Sequence, residues 1–237
     1  QKITTIVMMT PGVKFALNAK LHLKDPQSSE LGRKILTGSI DLIDELGFES
    51  FTFKKLAIQV GSTEASVYRY FESKHKLLLY LSAWYWHWMD YRMMFRLANI
   101  VSPRERLNIA VTVLTEIIEQ DSQFSHINEV KLNRIIIGES SKCYLTKEVD
   151  EENKKGVFLA YKRLVQSVCD IILEIQPGYK YPHMLVSTVV EGAHLQRFFA
   201  DHLPRLTDTV EGEDSVTSFY KEMLNKVVGE PTQNHKK

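Results

Sequence analysis

Thr52-Phe53-Lys54-Lys55-Leu56-Ala57-Ile58-Gln59-Val60-Gly61-Ser62-Thr63-Glu64-Ala65-Ser66-Val67-Tyr68-Arg69-Tyr70-Phe71-Glu72-Ser73-Lys74 is the stretch on which the fold turns. It reads as two short helices joined by a tight turn. Thr52 is placed to cap the first, over about 53–60, and Ser73 to cap a long helix that follows the second. Ala57 is small where the second helix must cross closely. Four residues on, Gly61 supplies the positive φ that the turn needs. Six further on, Val67 offers a branched apolar anchor. Leu56, Val60 and Tyr70 or Phe71 can complete a small core. The spacing is that of a helix-turn-helix, and an ordinary helical hairpin can also satisfy it.

Outward from this stretch the pattern is helical almost throughout, so the expected fold class is all-α. Ile35, Leu36, Ile40, Leu42, Ile43 and Leu46 form a broad apolar stripe over about 31–46, with Gly47 as its stop. Further helices are expected over about 73–99, from Pro103 through Ile118, over 124–138, from the charged 147–155 segment to Ile175, over 182–202 and over 213–228. Residues 1–30 fit no helical period. Val13, Phe15 and Leu17 alternate, as do Leu21 and Leu23, which permits an extended or hairpin-like arm. The resulting organisation is an N-terminal extension at 1–30, a helix-turn-helix unit at 31–78, a larger helical domain at 79–228, and a flexible tail at 229–237.

Composition excludes several classes. Apolar residues make up 44% of the 237 and charged residues 25%, ordinary for a globular protein. Cys143 and Cys169 form no disulfide framework or zinc-ligand pattern, and they suit the core of a reduced, cytoplasmic protein. No run of about 18 apolar residues exists, so no membrane span is expected. Pro11, Gly12 and Lys14 interrupt the apolar start and argue against a signal peptide. Net charge is only +1, yet five basic residues (Lys54, Lys55, Arg69, Lys74, Lys76) stand against Glu64 and Glu72 between Thr52 and Lys76. Such a patch attracts phosphates.

The runs Thr52–Ala57, Val60–Thr63, Ser66–Lys74 and Leu77-Leu78, with the preceding Ile43–Phe48, resemble the signature of the TetR-type transcriptional regulators (the TetR/AcrR family) across about residues 33–78. Tyr68-Arg69-Tyr70-Phe71 followed by Ser73-Lys74 is the specific part. Ser62 stands where the family usually has an apolar residue, and Ala65 where glycine or proline is usual. The resemblance implies a repressor that binds double-stranded operator DNA as a homodimer and is released by a small-molecule effector. It implies that Thr63 caps a recognition helix whose Glu64, Ala65, Ser66 and Arg69, with Thr63 itself, face base edges. A glutamate can accept from a cytosine amino group and an arginine can donate to guanine. Thr52, Lys54, Tyr68, Tyr70 and Lys74 are then expected at the DNA backbone.

The long helix after Ser73 carries Leu77, Leu81, Trp84, Trp88, Tyr91 and Phe95 at steps of three and four. This stripe is core or, in part, the wall of an effector pocket. Trp88 and Tyr91, with His126, Asn133, Phe158 and Tyr161, are the expected pocket residues. Val186, Val189, Val190 and Ala193, with Ser187 and Gly192 allowing close approach, and a second stripe from Val216 to Val227, suit either dimerisation through the last two helices or packing within the chain. Two other classes fit a helical chain. A bundle enzyme or metal protein would use Glu-x-x-His motifs such as Glu72–His75 and Glu191–His194, and a protein-binding adaptor would lack DNA affinity. The first motif straddles a helix start and the second lacks partners, so no metal, cofactor or catalytic residue is expected.

Overall fold

The computed structural model describes residues 15–120, 126–210 and 212–229. Val13 of the expected arm, the apolar start of the chain and the tail at 230–237 lie outside these residues. Among the described residues there is no strand, and the elements are α1 (Glu30–Ser50), α2 (Phe53–Gln59), α3 (Glu64–Tyr68), α4 (Lys74–Leu97), α5 (Pro103–Thr115), α6 (Glu129–Glu139), α7 (Ser141–Tyr144), α8 (Val149–Lys154), α9 (Leu159–Ile175), α10 (Pro182–His202) and α11 (Ser215–Val227). None is long and apolar enough to cross a membrane.

The chain divides into two compact units. The first holds the residues up to Trp88 together with 118–160, and the second holds 89–117 with the residues from Tyr161 onward. In the first, α1 packs against α2 and α6, and α2 against α3. Ile35, Leu36, Ile40 and Ile43 of α1, Leu56 of α2, Val67 of α3, Leu132 and Ile136 of α6 and the inner face of α4 are almost fully buried. Trp84 and Trp88 stack with ring centroids 6.4 Å apart. Gly47, expected to stop α1, takes φ 74°, and the chain resumes a helical turn to Ser50.

Residues 15–29 form neither an extended arm nor a hairpin. They make two 3-10 turns, Ala19–Leu21 and Pro26–Ser28. The cause is local: Asn18 Oδ1 accepts from the Lys20 N–H, and Asp25 Oδ1 from the Gln27 N–H, closing the backbone on itself. Leu21 is buried while Leu23 is exposed, so their alternation does not mark one sheet face. Gly32 is required here, because a Cβ on it would sit 2.1 Å from the Pro26 carbonyl oxygen.

In the second unit α10 packs on α5 and α11, and α11 on α5. Val186, Val189, Val190 and Ala193 are each 1% exposed. The α10 face offered to a second copy is therefore used within the chain, and Gly192 makes room for the Tyr220 hydroxyl of α11. The opposite face of α10 carries the exposed Met184, Leu195 and Phe198. Arg197 ties this unit together by donating to the Thr115 carbonyl at 2.6 Å and to Asp214 Oδ1 at 2.5 Å. Both cysteines are buried and free, and burial pushes the Cys143 thiol up to about 12 and the Cys169 thiol to about 11.

His194 is buried in the same unit, and burial pushes its imidazole from 6.5 down to about 4. The unfolded chain takes up this proton near the ordinary value while the folded chain refuses it. Stability is therefore full above the ordinary value and falls as pH drops towards the folded one. The loss expected between about pH 7 and about pH 5 is on the order of 2 kcal/mol. Denaturant unfolding at the two pH values checks this, and His194→Met should remove most of the difference.

Candidate nucleic-acid interface

The turn between α2 and α3 is built as the sequence demands. The Thr52 side chain accepts from the Lys55 N–H at 3.2 Å and starts α2. Phe53, Leu56 and Ala57 face inward. Gly61 takes φ 65°. The Ser62 N–H then donates to the Ala57 carbonyl at 2.8 Å and closes the turn. Thr63 caps α3 by accepting from the Ser66 N–H, and its hydroxyl lies 2.9 Å from that of Ser66. Val67 is fully buried and holds α3 down. Because one side of so short a helix is fixed by Val67, the other is presented to solvent: Thr63, Glu64, Ala65, Tyr68 and Arg69 are exposed, and Ser66 is half-buried beside them. Thr52, Lys54 and Lys55 are exposed on α2. The surface offers an acceptor, a guanidinium, hydroxyls and lysines around a protruding helix, which is the chemistry that duplex DNA reads and is read by.

The aromatic-basic run after Val67 splits by position. Tyr68 is 47% exposed, and its ring meets Phe53 edge-on at 4.9 Å. Phe71 is fully buried, 5.3 Å from the Tyr80 ring. Tyr70, expected at a phosphate, is 4% exposed. Its hydroxyl lies 2.8 Å from Ser29 Oγ, its carbonyl accepts from the Leu23 N–H, and Lys24 lies over its ring. The Ser29 hydrogen bond, aided by Lys24 and Arg69, draws its phenol below the ordinary value despite burial. Lys74, also expected at the backbone, donates to the Phe48 and Glu49 carbonyls at 3.0 and 3.2 Å and lies over the Phe48 ring. Tyr70 and Lys74 thus hold the unit together from behind its exposed face.

The residues expected around an effector fall in both units. Trp88, His126, Asn133 and Phe158 belong to the first, and Tyr91 and Tyr161 to the second. In the first, Asn133 Nδ2 donates to the Tyr85 hydroxyl at 2.8 Å, and Tyr85 lies 5.9 Å from the Trp88 ring, so Tyr85 joins two residues the sequence pattern left separate. The His126 carbonyl accepts from Thr37 Oγ1 at 2.8 Å. In the second, the Tyr161 hydroxyl donates to Glu191 at 3.1 Å, and Tyr91 stacks near Phe95.

Residues 35–81 match the family model described as bacterial regulatory proteins of the tetR family. No curated protein sequence matches the chain. Among solved structures, a bacterial regulatory protein in the tetR family from Rhodococcus RHA1 aligns at a TM-score of 0.58 and 11% identity, over 86% of this chain and 99% of its own. AibR in complex with isovaleryl coenzyme A and operator DNA aligns at 0.54 and 17%, over 82% and 97%. The superantigen PfiT aligns at 0.54 and 19%, over 86% and 97%. At such identities the likeness is one of fold, shared by proteins of different description, so the argument for DNA rests on the matched segment and its exposed face.

Proposed function

We propose that this chain, whose residues 35–81 match the tetR-family model, is a one-component cytoplasmic repressor that binds operator DNA as a homodimer and leaves it on binding a small molecule. The observation that carries the reading is the exposed face of α3, held by Val67 and capped by Thr63. In the major groove, Thr63, Glu64, Ala65, Ser66 and Arg69 meet base edges. Thr52, Lys54 and Tyr68 meet phosphates, while Tyr70 and Lys74 act from behind by fixing α3 and the start of α4. Duplex binding by such a motif gains from two half-sites, and the exposed Met184, Leu195 and Phe198 of α10, with Phe219 and Val227 of α11, are the apolar surface through which two copies pair. The effector is assigned an apolar body, because the polar handles Asn133 and the Tyr85 hydroxyl are set beside Trp88. AibR, solved with an acyl thioester and operator DNA, is a precedent for that chemistry.

Selection of duplexes from a random pool by the full chain tests the reading. The expected product is an inverted repeat whose half-sites lie about one helical turn apart. Recovery of no sequence above the input pool, at low as well as moderate salt, overturns it.

A further inference from the structure

Residues 69–73 join α3 to α4, and one short helix of the first unit, α8, bonds directly to the start of α4 and reaches the end of α3 through the segment Asn18–Leu23. On the α4 side, Glu152 of α8 is 2% exposed. Its Oε1 accepts from Lys76 Nζ at 3.1 Å and lies 3.0 Å from His75 Nε2, both in the first turn of α4. Its other oxygen is buried with no hydrogen-bond partner among the described residues, so the attachment seen there runs through a single oxygen. A carboxylate this buried depends on its cation, and removing either partner strands the other. On the α3 side, the Lys155 carbonyl at the end of α8 accepts from Asn18 Nδ2 at 2.7 Å. The strap that begins at Asn18 continues to Leu23, whose N–H donates to the Tyr70 carbonyl.

We propose that Glu152 is a positioning residue for the DNA-binding unit: its buried carboxylate, through His75 and Lys76, fixes the start of α4 against α3, so that any shift of α8 reaches the recognition helix. A purely structural ion pair would change stability and leave the affinity of the folded protein alone. A positioning pair changes affinity while the protein stays folded. The two holds of α8 also make their effects additive only if they act separately. Glu152 is assigned by geometry and burial, since nothing in its sequence context marks it.

The inference rests on the DNA-binding reading and is tested on the duplex recovered by the random-pool selection, with full-length Glu152→Gln, Lys76→Met and the double variant. Each single variant is expected to lose about tenfold in affinity at a temperature where circular dichroism shows it folded. The double variant, which loses the same contact, is expected to lose about the same tenfold rather than the roughly hundredfold of two separate effects. Amide exchange over residues 77–80 should be faster in Glu152→Gln. Folded single variants that bind within about twofold of the parent overturn the inference. If Glu152→Gln fails to fold, Lys76→Met decides by the same criterion. If the parent chain recovers no duplex, the functional reading has failed, and the exchange measurement judges the latch alone: unchanged exchange over 77–80 overturns it.

Discussion

Phe71→Ala is expected to lower the stability of the first unit by about 3–5 kcal/mol, and Tyr68→Ala, three residues earlier, by no more than about 1 kcal/mol. The two rings stand in one aromatic-basic run, Tyr68 at the end of α3 and Phe71 in the link to α4, and differ in which way the chain turns them. Phe71 is fully buried, edge-on to Tyr80 of α4. Truncating it leaves a void beneath both the recognition helix and the first turns of α4. Tyr68 is half-exposed and leans on Phe53 by one edge. Its loss removes a phenol from the surface and leaves the core intact. Denaturant unfolding measures the first effect. Duplex affinity at a temperature where both variants are folded measures the second: Tyr68→Ala binds all duplexes more weakly and keeps its preference among them. Equal stabilities for the two variants would mean that α3 is not seated as described.

Arg69→Ala is expected to cost about 1–3 kcal/mol on the recovered duplex, and to cost far less on a scrambled one. Arg69 is exposed on the face opposite Val67. A guanidinium there can donate two parallel hydrogen bonds to guanine O6 and N7, a contact that depends on the base whereas a phosphate contact does not. Lys54→Ala is the control. Its ammonium is exposed on α2, and its removal should weaken every duplex alike and reduce the salt slope by about one unit. Affinities of both variants for both duplexes, across a salt series, separate reading of sequence from attraction to charge. A preference unchanged by Arg69→Ala would remove Arg69 from the reading face.

The helix-turn-helix was legible because its requirements are short-range. Ala57, Gly61 and Val67 meet steric demands within ten residues of chain, and Thr52, Thr63 and Ser73 meet capping demands within three. The strap was not legible for the opposite reason. Its alternating apolar residues fit an extended arm, and its conformation is decided by side-chain bonds from Asn18 and Asp25 to their own backbone and by distant acceptors such as the Tyr70 carbonyl. Nor does a sequence say which neighbour meets a helix face. Tyr70 and Lys74 read as phosphate ligands until Ser29 and the end of α1 are seen to occupy them. On α10 the most regular apolar face is the one consumed inside the chain, and the exposed apolar residues form the broken stripe of Met184, Leu195 and Phe198. Periodicity finds the face that packs best, and in a helix covered on one side that is the internal one.

The central claim is that α3 reads bases in the major groove. The most direct measurement replaces each guanine of the recovered duplex in turn with 7-deazaguanine, which deletes one major-groove acceptor and leaves pairing and the minor groove unchanged. Weakened binding is expected at one guanine in each half-site, and the same replacement is expected to have no further effect on Arg69→Ala. Binding indifferent to every such replacement, or weakened equally in the parent and in Arg69→Ala, would contradict it.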